Sequence, residues 1–151
     1  MTGCSKSSNN SSTPAAKDSV LYSSWITLAA TYNTTDSAYE QALTVNALTQ
    51  NVLDHGLVLT YIKDGAGEVV TPQDFSLFPA FTLKTITLFA GGDFSNVPFR
   101  YVIIPGTLAT SSTSAGVMSG SARTFSVNDL KSMTYAQVIK AFNIPADGAS
   151  K

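Results

Sequence analysis

Cysteine, histidine and charge are all scarce in this chain. Its 151 residues include one cysteine, Cys4, and one histidine, His55. A single thiol closes no internal disulfide, and one histidine with one cysteine is too small a ligand set for a structural zinc site. Charged residues make up 13 % of the chain, about half of the roughly 25 % usual in globular domains. The basic residues are scattered from Lys6 to Lys151 and the formal net charge is -1. With no basic stripe to neutralise phosphates, nucleic acid is not expected as a partner. No apolar run approaches the roughly 20 residues that a membrane-spanning helix needs. Nothing in the residue types calls for a metal or a cofactor.

What the chain has instead is 44 % hydrophobic residues and a polarity carried by Ser and Thr. That is enough apolar material for one core. Residues 1–18 read as a polar tether, 19–146 as a single β-rich domain, and 147–151 as a flexible tail. The stretch Ser5–Asp18 has no aromatic residue and no aliphatic one larger than Ala, so it cannot bury enough surface to fold.

From Ser19 the pattern is that of strands. In "SVLYSSWITLAATYN", Ile26, Leu28, Ala30 and Tyr32 alternate with Thr27, Ala29 and Thr31. "YEQALTV" alternates as well. "NALTQNVLDHG" changes period and predicts a short helix near 47–55, capped by Asn46 and closed by Gly56. "LVLTYIKDGAGEVV" predicts a hairpin turning at Asp64–Gly67. "FPAFTLKTITLFAGG" reads as one long strand with Phe81, Leu83, Thr85, Thr87 and Phe89 on one face. Its apolar groups change sides midway, as at a twist or a bulge. "PFRYVIIPG" gives the strongest strand and "RTFSV" a further one, with a Ser/Thr/Ala/Gly loop over 107–121 between them. A C-terminal helix over 134–143 follows from the capping box Thr134/Gln137, a Met133–Val138 staple and the stripe Tyr135, Val138, Ile139, Phe142. The fold expected is mainly β: an antiparallel sandwich or partly open barrel of six to seven strands, with these two helices.

Met1-Thr2-Gly3-Cys4 resembles the end of a bacterial lipoprotein signal peptide, with Met1 where that family has Leu. The resemblance implies acylation of Cys4 after export. The charged and apolar parts of such a signal are not present, as in a sequence that starts late within its own signal. Acyl chains at about 0.8 kcal/mol per buried CH₂ make a stable anchor when there are several.

The combination of "ALTQNVLDHGLVLTYIK" (47–63), "FRYVIIPG" (99–106) and "MTYAQVIKAFNIP" (133–145) resembles a domain of unknown function from exported bacterial lipoproteins, often found after collagen-like repeats. It spans roughly residues 25–145. No Gly-X-Y tract is present here. The resemblance implies export to the outer membrane or cell surface and brings no reaction with it.

Catalysis finds little to work with. His55 follows Asp54 at the end of the short helix, where a cation suits the dipole. Asp64 and Glu68 could form a carboxylate pair or a weak calcium site, but turn aspartates bond their own backbone. Asp93, beside two glycines, reads the same way. No serine stands in a Gly-x-Ser-x-Gly elbow. Arg100 points away from Phe99 and Tyr101: solvated if the sheet is one-sided, paired with an acid if buried. The binding candidates are Tyr22, Trp25, Tyr32 and Tyr39, interleaved with Asn33, Gln41 and Asn46, because aromatic faces flanked by amides suit sugar rings. The function expected is a lipid-anchored, non-enzymatic surface domain that binds a glycan or surface polymer. A structural subunit paired with another surface protein is the alternative, and a carbohydrate-active hydrolase comes third.

Overall fold

The computed structural model describes residues 20–105 and 127–147. Cys4 and the rest of the tether, Ser19, the 107–121 loop, residues 123–126 and the tail from 148 lie outside the described residues. The strands are β1 (Leu21–Tyr22), β2 (Ile26–Thr27), β3 (Thr31–Asn33), β4 (Ala38–Thr44), β5 (Leu57–Lys63), β6 (Val69–Val70), β7 (Leu77–Thr82), β8 (Thr85–Ala90) and β9 (Pro98–Ile104). Helix α1 is Gln50–His55, a 3₁₀ turn covers Pro72–Phe75, and α2 (Val127–Ser132) and α3 (Tyr135–Phe142) close the chain.

Among the described residues all pairings are antiparallel and fall into two sheets. The first has the order β1-β9-β5-β6 with β2 also on β9, and the second β3-β4-β8-β7. The fold is a sandwich, mainly β, and not a closed barrel. Leu77, Ile86, Leu88 and Ala90 of the second sheet meet Ile62, Phe99 and Ile103 of the first. The other face of the first sheet, with Leu57, Tyr61, Val102 and Ile104, packs on Leu130 of α2 and Val138 of α3. The first sheet is therefore a middle layer. That is why "FRYVII" is apolar almost without alternation: β9 is covered on both faces.

The strand number exceeds the expected six to seven for two reasons. The alternation from Leu21 to Asn33 is one extended run that changes partners: β1 and β2 pair with β9, and β3 pairs with β4 in the other sheet. Between them, Leu28 N–H donates to Val97 O at 3.0 Å, while Ala29 N–H donates to the Gln41 side chain at 2.7 Å. The second reason is that "FPAFTLKTITLF" is a hairpin, β7–β8, and not one strand. Its apolar residues change sides because the chain reverses at Leu83–Lys84. The turn has no glycine; Lys84 adopts φ 60. Both its backbone groups are held, N–H to Leu48 O at 2.9 Å and C=O by Val45 N–H at 2.8 Å. Those two bonds offset the strain that a non-glycine residue meets there.

The helices differ from expectation in detail. Helix α1 begins later than 47, and its cap is Thr49, whose hydroxyl accepts from Val52 N–H at 3.3 Å, rather than Asn46. Gly56 is extended at φ -90, so its role is space and not a left-handed turn. A Cβ there would lie 2.7 Å from Val52 O and 2.8 Å from Ile104 O. Val127, expected to end a strand, opens α2. Helix α3 has the expected capping box, and Asn143 ends it in the left-handed region. Met133 packs in the same cluster as Val138.

Candidate functional site

The four aromatic candidates divide into two pairs on different sheets. Tyr22 and Trp25 lie on the helix-covered face of the first sheet, around Arg100. This arginine is 0 % exposed, which overturns the expectation of a solvated residue. It has no carboxylate partner among the described residues, so the buried acid pair is also absent. Both readings assumed a one-sided sheet or a nearby acid, whereas the helices cover this face and supply carbonyls. Nε donates to Ser23 O at 2.8 Å. Nη1 donates to the Tyr135 hydroxyl at 2.6 Å, Pro145 O at 2.8 Å and Ala146 O at 2.9 Å. The guanidinium lies 5.4 Å from the Tyr22 ring, 5.8 Å from Trp25 and 6.0 Å from Tyr135, within reach of cation–π attraction.

The same residues tie down the C-terminal strap. Trp25 Nε1 donates to Ala146 O at 3.1 Å, and Tyr135 adds a bond to the same carbonyl at 3.0 Å. Lys63 sits 4.7 Å from the Trp25 ring and 3.2 Å from Asp147, the first residue of the expected tail. Two buried polar atoms here have no hydrogen-bond partner, Arg100 Nη2 and the Tyr61 hydroxyl. Burial, with the neighbouring Tyr135 phenol adding to it, pushes the Tyr61 hydroxyl well above the ordinary tyrosine range. Tyr22 and Trp25 are thus half-buried parts of a polar cage that fixes the helical layer.

Tyr32 and Tyr39 form the other pair, directly opposite each other on β3 and β4, with ring centroids 5.2 Å apart edge to face. Tyr32 is 50 % exposed and Tyr39 half-buried. Strand alternation turns both toward the inner side at the sheet margin and puts their neighbours on the open side.

That open side is the outer face of the second sheet, and its registers build rows. Thr31, Glu40, Phe89 and Phe78 stand side by side across β3, β4, β8 and β7. The next row is Ala42, Thr87 and Ala80, and the third Thr44, Thr85 and Thr82. Phe78 is 55 % exposed. Strand β3 begins only at Thr31, opposite Glu40, so β4 beyond Glu40 has no strand partner on that edge and a cleft of about 680 Å³ opens there. Its lining includes Thr31, Tyr32, Asn33, Glu40, Gln41 and Thr87. Two of its amides are already engaged: Asn33 bonds Asp36 and Thr35 N–H within the β3–β4 turn, and Gln41 Oε1 accepts from Ala29. Glu40 is half-buried, and its carboxylate has no hydrogen bond or ion pair among the described residues. Threonine hydroxyls, one carboxylate and a phenylalanine ring on one sheet face can accept from and donate to hydroxyls while stacking on an apolar ring face.

Of the ionisable candidates for chemistry, Asp64 and Glu68 share the β5–β6 turn, while Asp93 and His55 lie on other parts of the chain. Asp64 accepts from Ala66 N–H at 2.9 Å and Glu68 N–H at 2.8 Å, the turn role expected of it. Asp93, between β8 and β9, accepts from Ser95 N–H at 2.8 Å, and the Ser95 hydrogen bonds hold its carboxyl below the usual range. His55 is the last residue of α1. Among the described residues no three His, Cys, Asp or Glu side chains gather as a metal site would require.

The outer-face residues Glu40, Phe78, Thr87 and Phe89 were not among the sequence candidates. The missing signal was the β7–β8 turn: reading one strand puts Phe81 with Phe89, whereas the hairpin puts Phe78 beside Phe89 and sends Phe81 inward. No protein-family model, curated protein or solved structure matches the chain.

Proposed function

We propose that this is a non-catalytic binding domain, held at the bacterial cell surface by lipid on Cys4, whose outer second-sheet face grips a surface polysaccharide. The observation that carries the reading is the row Thr31–Glu40–Phe89–Phe78 beside an open cleft. It offers a stacking ring and hydroxyl partners side by side on one sheet face, as a polymer of sugar rings requires. The lipoprotein-like "TGC", the polar tether behind it and the resemblance to exported domains support display outside the cytoplasm.

The binding test is retention on insoluble polysaccharides, with wild type against Phe78→Ser and Thr87→Asp. Wild type is retained on at least one, and each variant binds about ten-fold more weakly, or 1.4 kcal/mol. Equal retention of all three, or none for wild type, overturns the reading. For the anchor, cells are fed an acyl probe and Cys4→Ala is compared with wild type. Label in both would sink it.

A second reading, a subunit of a surface assembly, draws on exposed apolar residues strung along edge strand β7, Phe78 within it and Phe75 and Leu83 just beyond its two ends. An exposed sheet edge with apolar side chains is a place where another chain can pair. A Phe75→Ser/Leu83→Ser variant that changes the elution volume of the full chain would favour it.

A further inference from the structure

We infer that the outer-face site selects its polysaccharide by charge and takes amino sugars carrying free ammonium groups, such as de-N-acetylated glucosamine units. This rests on the polysaccharide reading and adds the ligand class. Glu40 is the one charged residue in the cleft lining. It stands in the middle of the four-strand row, between Thr31 and Phe89. No lysine or arginine occupies any outer-face position of the three rows, and Lys84 lies beyond them in the β7–β8 turn. Asp36, in the adjoining β3–β4 turn, adds a second negative charge nearby.

A half-buried acid has lost part of its hydration, and structural acids recover it through a cation, an amide or a hydroxyl. The Glu40 carboxylate does none of these among the described residues, whereas the two amides of the same lining, Asn33 and Gln41, are both engaged. An incoming ammonium would supply the missing partner. It would find a charge-assisted acceptor in Glu40, hydroxyl acceptors in Thr31 and Thr87, and the Phe89 ring beside it. Partial burial strengthens that attraction relative to an exposed pair. The same field repels uronates, sialic acids and phosphorylated sugars. A neutral N-acetylated sugar meets neither penalty nor gain from Glu40 beyond a hydroxyl bond.

The test uses the full chain and four soluble probes of matched length: oligomers of glucosamine, N-acetylglucosamine, a uronic acid, and lysine. Binding is followed by calorimetry at low and moderate salt. Wild type binds the glucosamine oligomer at least ten-fold tighter than the N-acetylated one, with the preference shrinking as salt rises. Glu40→Gln brings glucosamine affinity down to that of the neutral oligomer. Phe78→Ser weakens both sugars together. A uronic acid oligomer binding best, or a preference that survives Glu40→Gln, overturns the charge selection. So does an oligolysine that binds as tightly as glucosamine, since the site would then read charge without sugar. If the two glucosamine forms bind equally, polysaccharide binding stands and only the charge selection fails. If no sugar binds at all, both fail.

Discussion

The molecule has two assemblies of aromatic and polar side chains on opposite sides of its layered fold, and they differ in how their hydrogen-bonding capacity is used. Around Arg100, the helical layer seals a guanidinium among carbonyls and rings, and four acceptor groups converge on it. On the outer face of the second sheet, Glu40 and the threonine rows stand open, with an exposed Phe78 beside them. A buried charge whose bonds are made by the protein's own backbone belongs to folding; a half-buried charge left without a partner is free to meet a ligand. Residue type alone does not separate the two, since Trp25 and Tyr22 look like sugar platforms in the sequence and serve the sealed cage.

This contrast has measurable consequences. The largest is at the cage: Arg100→Ala takes the guanidinium donor from Ser23 O and Pro145 O, leaves Ala146 O to Trp25 and Tyr135 alone, and lowers stability by about 3–5 kcal/mol in urea unfolding. A loss below about 1 kcal/mol would mean that water enters the cage and the contrast is false. Next, Thr134→Ala removes the cap of the helix that brings Tyr135 to Arg100, and about 1 kcal/mol is lost.

Tyr61→Phe acts in the opposite direction. Its hydroxyl is buried without a partner, so deleting it raises stability by about 1 kcal/mol. The sign of its pH dependence follows from the raised folded-state value. Folded and unfolded chains both hold the proton below the ordinary value of 10.0. Above it the unfolded chain ionises first, and stability falls as pH rises. Tyr61→Phe flattens that alkaline loss, measured by unfolding across the range. The smallest effects belong to the open face: Glu40→Gln and Phe78→Ser change stability by less than about 0.5 kcal/mol. A larger loss at either would move that residue from the binding surface into the framework.

Much of the framework was legible in the sequence. The capping box at Thr134, the Asp64 turn and the "FRYVII" strand depend on neighbours close along the chain, and short-range patterns report them. What was not legible depended on distant partners. The Leu83–Lys84 turn carries no glycine because Leu48 O and Val45 N–H hold it from another part of the chain. Arg100 is buried because α3 and residues 145–146 close over it, some 45 positions later. The outer face was hidden for the first of these reasons: without the turn, Phe78 has no reason to stand beside Phe89.

The most direct test is backbone amide shift mapping of the full chain titrated with a soluble glucosamine oligomer. The largest shifts are expected on Thr31, Glu40, Thr87 and Phe89, with Trp25 and Tyr135 unmoved. Shifts centred on Tyr22, Trp25 and Tyr135 would contradict it and make the Arg100 cage the binding site.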